Sequence, residues 1–138
     1  MKPALVPPVF FDTNVLVYLV SPDAEKAARA GALLREGGHV SVQVLNELVS
    51  VLRKKFRFDW PDVETVLALV QAYCDVVPLD LLMHQEGLLL ARLHQLSWYD
   101  ALIVAAAQRV EAQSLFSEDM QHGRLYDDAL RVVNPFLA

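Results

Sequence analysis

The stretch Val9-Phe10-Phe11-Asp12-Thr13-Asn14 decides how the chain is read. Three apolar residues suited to a strand end abruptly in a carboxylate, a hydroxyl and an amide. Val17, Leu19 and Val20 follow closely, so the polar group sits between two segments that favour burial. An acid in that place either caps a helix or faces a positive charge, because a buried carboxylate without a partner is strongly disfavoured. A cap at Asp12 accounts for one of the three polar residues, but not for Thr13 and Asn14 as well. Asp12 is therefore read as a cation ligand that needs companion acids from elsewhere in the chain.

On either side of this stretch, short apolar segments alternate with helical patterns. Pro7-Pro8 hold the entry extended before a strand over residues 9–11. Ser21-Pro22 reads as a helix cap with proline at the first helical position, residues 24–34 are strong helix formers, and Gly37-Gly38 stops them. A second strand is expected over residues 39–42, then a helix from about Gln43 to Phe56 with Leu45, Leu48, Val49 and Leu52 as its stripe. Asp59 caps the next helix, which turns Val63, Val66, Leu67 and Val70 inward. Residues 75–78 hold a short strand that Pro78 ends. Residues 80–96 read as a helix apolar enough at Leu81, Leu82, Leu88, Leu89 and Leu93 to lie deep. Ser97 caps a helix over residues 98–110, whose alanines permit close packing. Strands over residues 114–116 and 130–133 complete the pattern. Such alternation predicts an α/β fold, a three-layer α/β/α sandwich around a mainly parallel sheet, in one domain spanning residues 1–138. Sites in such sheets form beyond the carboxyl ends of strands, near a switch in strand order, and Asp12 and Asp119 both follow apolar β segments.

Composition narrows the function classes. With 12 Lys+Arg against 17 Asp+Glu, the formal charge of -5 argues against a general basic nucleic-acid binder. It leaves room for an enzyme acting on nucleic acid, since acids gathered around divalent ions are not free negative surface. Apolar residues reach 54%, which implies a generous core or an apolar face covered by another chain. Cys74 is the single cysteine, so there is no intrachain disulfide and no cysteine-only metal site, and it reads as a core residue. The N-terminal segment lacks a signal-like apolar core, and no run is long enough to span a bilayer, so the cytoplasm is the expected location.

Three further acids could join Asp12. Glu47 lies on a largely apolar helix side; Val51, one turn on, offers it no charge. Asp100 fits a capping box opened by Ser97, a role compatible with its outer oxygens facing an ion. Asp119 follows Leu115-Phe116-Ser117-Glu118, with Glu118 as its neighbouring competitor. Ser117 either contacts bound phosphate or water, or stabilises the turn. Asp127-Asp128 reads as a solvated turn with a small chance of lending an outer ligand. His39, His84, His94 and His122 show no zinc spacing, and no glycine-rich phosphate loop occurs. Arg53-Lys54-Lys55-Phe56-Arg57 is the one basic run, either a cationic helix end or a contact for a phosphate backbone, and Arg124, in His122-Gly123-Arg124, either makes the same contact or stabilises a turn.

Phe11-Asp12-Thr13-Asn14, Asn46-Glu47, the run from Trp98-Tyr99-Asp100 to Ala107, and Ser117-Glu118-Asp119-Met120 together resemble a PIN-domain ribonuclease. More narrowly, the chain is similar to the small VapC-like toxins of type II toxin–antitoxin pairs. The resemblance places the family's four acids at Asp12, Glu47, Asp100 and Asp119, with Asn14 and Ser117 in support. It implies Mg2+- or Mn2+-dependent hydrolysis of RNA, and oxygen-only ligands suit those ions better than zinc. It also implies a homodimer and a small antitoxin protein that covers the acidic groove.

Two other readings stand beside it. An aspartate-nucleophile phosphatase or dehalogenase asks for a second acid two residues after the nucleophile, where this chain has Asn14. The other alternative is a non-catalytic interaction domain on the same scaffold, since fold does not fix activity.

Overall fold

The computed structural model describes residues 7–137; the start of the N-terminal segment, Met1 to Val6, lies outside the described residues. The chain runs β1 (Val9–Phe11), α1 (Thr13–Val17), a 3-10 turn (Tyr18–Val20), α2 (Ala24–Glu36), β2 (Gly38–Ser41) and α3 (Val42–Lys54). It continues through α4 (Trp60–Tyr73), β3 (Cys74–Val77), α5 (Leu81–His94), α6 (Trp98–Arg109), β4 (Ser114–Phe116), β5 (Leu125–Tyr126) and β6 (Leu130–Val133).

The strands form one sheet in the order β3-β2-β1-β4-β6-β5. Every pairing is parallel except β5 with β6. The chain steps outward from β1 to β2 to β3, then returns to the other side of β1 as β4. Right-handed crossovers put helices of the outward steps on one face and those of the return on the other. The packing agrees: α3 packs on α1 and α4, while α5 packs on α6. The result is the expected sandwich, with its switch in strand order between β1 and β4.

Register carries this topology to atomic detail. Val9, Phe10 and Phe11 stand opposite Ser114, Leu115 and Phe116. Beyond the strand ends, the Asp12 N–H donates to Phe116 O at 2.9 Å and the Ser117 N–H to Val133 O at 3.0 Å. The ladder thereby sets Asp12 and Ser117 side by side at the carboxyl edge of the sheet. Phe10, Phe11, Val40, Leu115 and Val132 fill the core beneath them, and Cys74 is buried among the core residues. Residues Ala101 to Ala107 of α6 are all buried, as small residues allow where a helix is enclosed on all sides.

Four local readings need correction. The cap of α2 is Asp23, which accepts from the Lys26 N–H at 3.2 Å, while Ser21 Oγ accepts from the Asp23 N–H at 3.1 Å. Aspartate caps as well as serine and suits the positive helix end, so Pro22 stays outside the helix. Gly37 ends α2 at φ 90, but Gly38 belongs to β2. Leu81, Leu82, Leu88, Leu89 and Leu93 are not deep: they are 70%, 57%, 47%, 63% and 66% exposed. The buried side of α5 is Met83, Gly87 and Leu90, at helical spacing, and Gly87 faces Leu102 of α6. A helix with leucines on both sides has no single stripe, and the backbone-close approach at Gly87 decides which side turns in. Finally, β5 was not expected; Asp127 and Asp128, at φ 50 and 54, lead the three-residue turn 127–129 that folds it back on β6.

Candidate active site

Asp12 is both the helix cap and the inward-facing acid. One oxygen, Oδ1, accepts from the Thr13 N–H at 2.7 Å, which starts α1. The other, Oδ2, accepts from Ser117 Oγ at 2.9 Å and from Asn14 Nδ2 at 3.1 Å. Asn14 also donates to Ser117 Oγ at 3.3 Å and accepts the Glu118 N–H at 2.9 Å, so it laces the start of α1 to the turn after β4. Ser117 Oγ in turn accepts the Met120 N–H at 3.2 Å. Of the roles open to Ser117, the hydroxyl takes the structural one, holding Asp12 and the turn. Asp12 is 5% exposed, and burial pushes its carboxyl up to about 6. The neighbouring Glu47 and Asp100 charges add to that rise, and the bonds from Ser117 and Thr13 oppose it.

Glu47 stands on α3, whose first turn is capped by Ser41. Its Oε2 accepts from the Thr13 hydroxyl at 2.6 Å and its Oε1 from Gln43 Nε2 at 3.2 Å. Gln43 lies one turn back on the same helix, the partner that looking forward to Val51 missed. Asp100 lies in the first turn of α6, its N–H donating to Ser97 Oγ at 3.3 Å, as the capping pattern implied. Asp119 is exposed beside the turn. Its neighbour Glu118 is engaged elsewhere, by Lys26 Nζ at 2.8 Å and the Tyr18 hydroxyl at 2.5 Å. Burial pushes the Glu118 carboxyl up, but those two partners outweigh it and hold the group below its usual range.

One cleft of about 560 Å³ takes lining from Asp12, Glu47, Asp100 and Asp119 together, with Asn14 between them. Residues far apart in sequence thus share one hollow at the switch in strand order. Among the described residues no His, Cys, Asp or Glu side chains are grouped in threes closely enough to hold a metal ion. The acids ring the cleft without closing on one point. Their chemistry still fits a hard cation: all are oxygen donors, and Asp12 is raised partly by its acidic neighbours.

The basic residues divide. Lys55 lines the cleft. Arg53 instead stacks 4.4 Å from the centre of the Trp60 ring and donates to Phe58 O at 2.8 Å, holding the corner between α3 and α4. Lys54 and Arg57 are exposed and are not among the cleft's lining residues. Arg124 lies 4.7 Å from the Tyr126 ring centre, also outside that lining. Asp127 accepts from Gln108 Nε2 at 2.8 Å and belongs to the hairpin turn, not to the cleft. Thr13, Gln43, Tyr18 and Lys26 are the residues that sequence reasoning did not assign to the site. Gln43 was legible from i,i+4 spacing; Lys26, 92 positions from Glu118, carried no sequence signal.

The PIN-domain family model matches residues 9–127, and the chain belongs to that family. PIN domains typically use divalent metal ions. No curated protein matches the chain. Among solved structures, a toxin–antitoxin complex from Klebsiella pneumoniae is 21% identical with TM-score 0.68, covering 93% of this chain and 98% of that one. VapC20 from Mycobacterium tuberculosis, described as a sarcin-ricin-loop-cleaving toxin, is 18% identical with TM-score 0.66, covering 80% of this chain and 91% of its own. FitAcB from Neisseria gonorrhoeae is 18% identical with TM-score 0.63, covering 92% of this chain and 97% of its own.

Proposed function

We propose that the protein is a cytoplasmic, Mg2+- or Mn2+-dependent endoribonuclease, the toxin of a toxin–antitoxin pair. The observation that carries this reading is the meeting of Asp12, Glu47, Asp100 and Asp119 around one cleft at the carboxyl edge of the sheet. Similarity in fold to a toxin–antitoxin complex and to an RNA-cleaving toxin supports the substrate and partner classes.

In this reading Asp12, Asp100 and Asp119 hold the cation, and Glu47 binds it directly or through water. When bound, the ion supplies Lewis-acid polarisation of the phosphate and of the attacking water. The chain's own residues provide the positioning. Ser117, Asn14 and the Thr13 N–H fix both oxygens of Asp12. Thr13 and Gln43 orient Glu47, and Lys55 offers the cleft a cation for the RNA backbone. The phosphatase alternative loses support here, because both polar atoms of Asn14 are engaged and neither is an acid.

The exposed leucines of α5 support association with another chain, and a homodimer uses them without charged partners. Among the described residues no helix is long and apolar enough to cross a membrane.

The test is cleavage of structured RNA with Mg2+, Mn2+ or chelator. Cleavage should need the divalent ion, and Asp12→Asn and Asp100→Asn should each lower it by about two orders of magnitude or more while remaining folded. Undiminished cleavage by the repurified double variant would refute the reading. Induced expression should arrest growth and a co-expressed neighbouring small protein should relieve it.

A further inference from the structure

Two consecutive acids, Glu118 and Asp119, line the cleft, and the chain treats them differently. Glu118 is fully engaged. Its Oε2 lies 2.8 Å from Lys26 Nζ, and its Oε1 accepts from the Tyr18 hydroxyl at 2.5 Å. Lys26 Nζ also donates to that hydroxyl at 3.1 Å, closing a three-membered network. Lys26 is cradled between rings, 4.6 Å from the centre of Tyr18 and 5.4 Å from that of Phe136, which themselves meet edge to face at 4.7 Å. Arg29 Nε donates to Pro135 O at 3.1 Å and secures the segment that carries Phe136. The first turn of α2, the 3-10 turn and the segment after β6 therefore meet at one carboxylate. Asp119, by contrast, has no hydrogen bond or ion pair from its side chain among the described residues.

We propose that Lys26, cradled by Tyr18 and Phe136, is a positioning residue that withholds Glu118 from the cation and leaves Asp119 to serve it. The inference rests on the cation-dependent reading above. A divalent ion approaching Glu118 meets an ammonium already bound there, so the ion is directed toward Asp12, Asp100 and Asp119. Without Lys26, Glu118 keeps only the Tyr18 hydroxyl and becomes a fifth carboxylate on the same cleft with no cation of its own. That change both removes a repelling charge and supplies a competing ligand, drawing the ion off its working position.

The experiment measures Mn2+ binding to the whole chain by electron paramagnetic resonance, alongside RNA cleavage. The variants are Lys26→Met, Glu118→Gln, Asp119→Asn and the double Lys26→Met/Glu118→Gln. Lys26→Met should bind Mn2+ about ten-fold more tightly while cleaving RNA more slowly, a combination that a merely structural role does not produce. The double variant should return affinity to within about two-fold of the original chain, since the liberated carboxylate is gone. Glu118→Gln should weaken binding by about three-fold at most, and Asp119→Asn by about ten-fold or more. Should Lys26→Met fail to fold, Lys26→Gln removes the charge but keeps a donor, and the same outcomes apply. Unchanged Mn2+ affinity in the Lys26 variant, or equal losses for Glu118→Gln and Asp119→Asn, overturns the inference while leaving the nuclease reading in place. An original chain that binds no Mn2+ overturns both.

Discussion

Asp12 is held by three donors and is still a costly anion. Its carboxyl, raised to about 6, is charged at neutral pH in the folded chain at the expense of stability. The ordinary value is 3.8, so folding favours the protonated form. The contribution to stability is fully present below the ordinary value and is lost as pH rises through about 6. Metal-free Asp12→Asn should therefore be more stable than the original chain at pH 7.5. The full shift sets a ceiling of about 3 kcal/mol. An amide cannot accept from Ser117 and Asn14 as the carboxylate does, so the expected gain is about 1–2 kcal/mol. Denaturant unfolding in chelator should show that gain shrink toward zero by about pH 4. A variant destabilised at both pH values would mean that the donors around Asp12, not its burial, decide its energetics. Asp12 stood out in the sequence because a charge cut short an apolar run. Thr13 and Asn14 stood out beside it, and Ser117 through the family resemblance, but the bond itself was not legible: Ser117 is 105 positions away and reaches Asp12 only through the pairing of β1 with β4.

Gly38 shows an element depending on one absent side chain. A Cβ there would lie 2.7 Å from Val9 Cγ2, 2.8 Å from Phe11 Cε2 and 3.0 Å from Val9 O, at φ 157. Because Val9 and Phe11 belong to the strand that carries Asp12, relief by movement would disturb the site's own support. Gly38→Ala should cost about 2–3 kcal/mol in chemical denaturation, from overpacking and backbone strain together. Elements with one apolar stripe or a clear cap were legible in advance: α3 with Leu48 and Leu52, α4 with Asp59, and α6 with Ser97. On α5 the leucines surround the helix, so periodicity could not choose a face, and the choice was made by Met83, Gly87 and Leu90 against α6. The two-residue β5 was too short for any pattern and exists because the turn at Asp127 and Asp128 returns the chain onto β6.

Taken whole, the molecule presents an acidic cleft and a leucine-rich α5, and the proposed biology uses both. If α5 is where two copies meet, Leu89→Glu/Leu93→Glu should run as a monomer in size-exclusion chromatography with light scattering, at concentrations where the original chain is a dimer. Unchanged mass would assign those leucines to another partner. The alternation of short strands and helices made the sandwich and its parallel sheet legible. The strand order was not, because nothing local in β4 records that it returns beside β1 after three earlier strands have been laid down.

That late return has a bearing on how the protein is made. A chain emerging from the ribosome completes β1, β2 and β3 long before β4 is available to lie against β1. Until then Ser117 is missing from Asp12, Asn14 has no Glu118 amide to hold, and Asp119 has not arrived. Under the proposed activity, a copy that still lacks β4 has an incomplete set of acids, and the cleft is assembled only when β4 is laid beside β1.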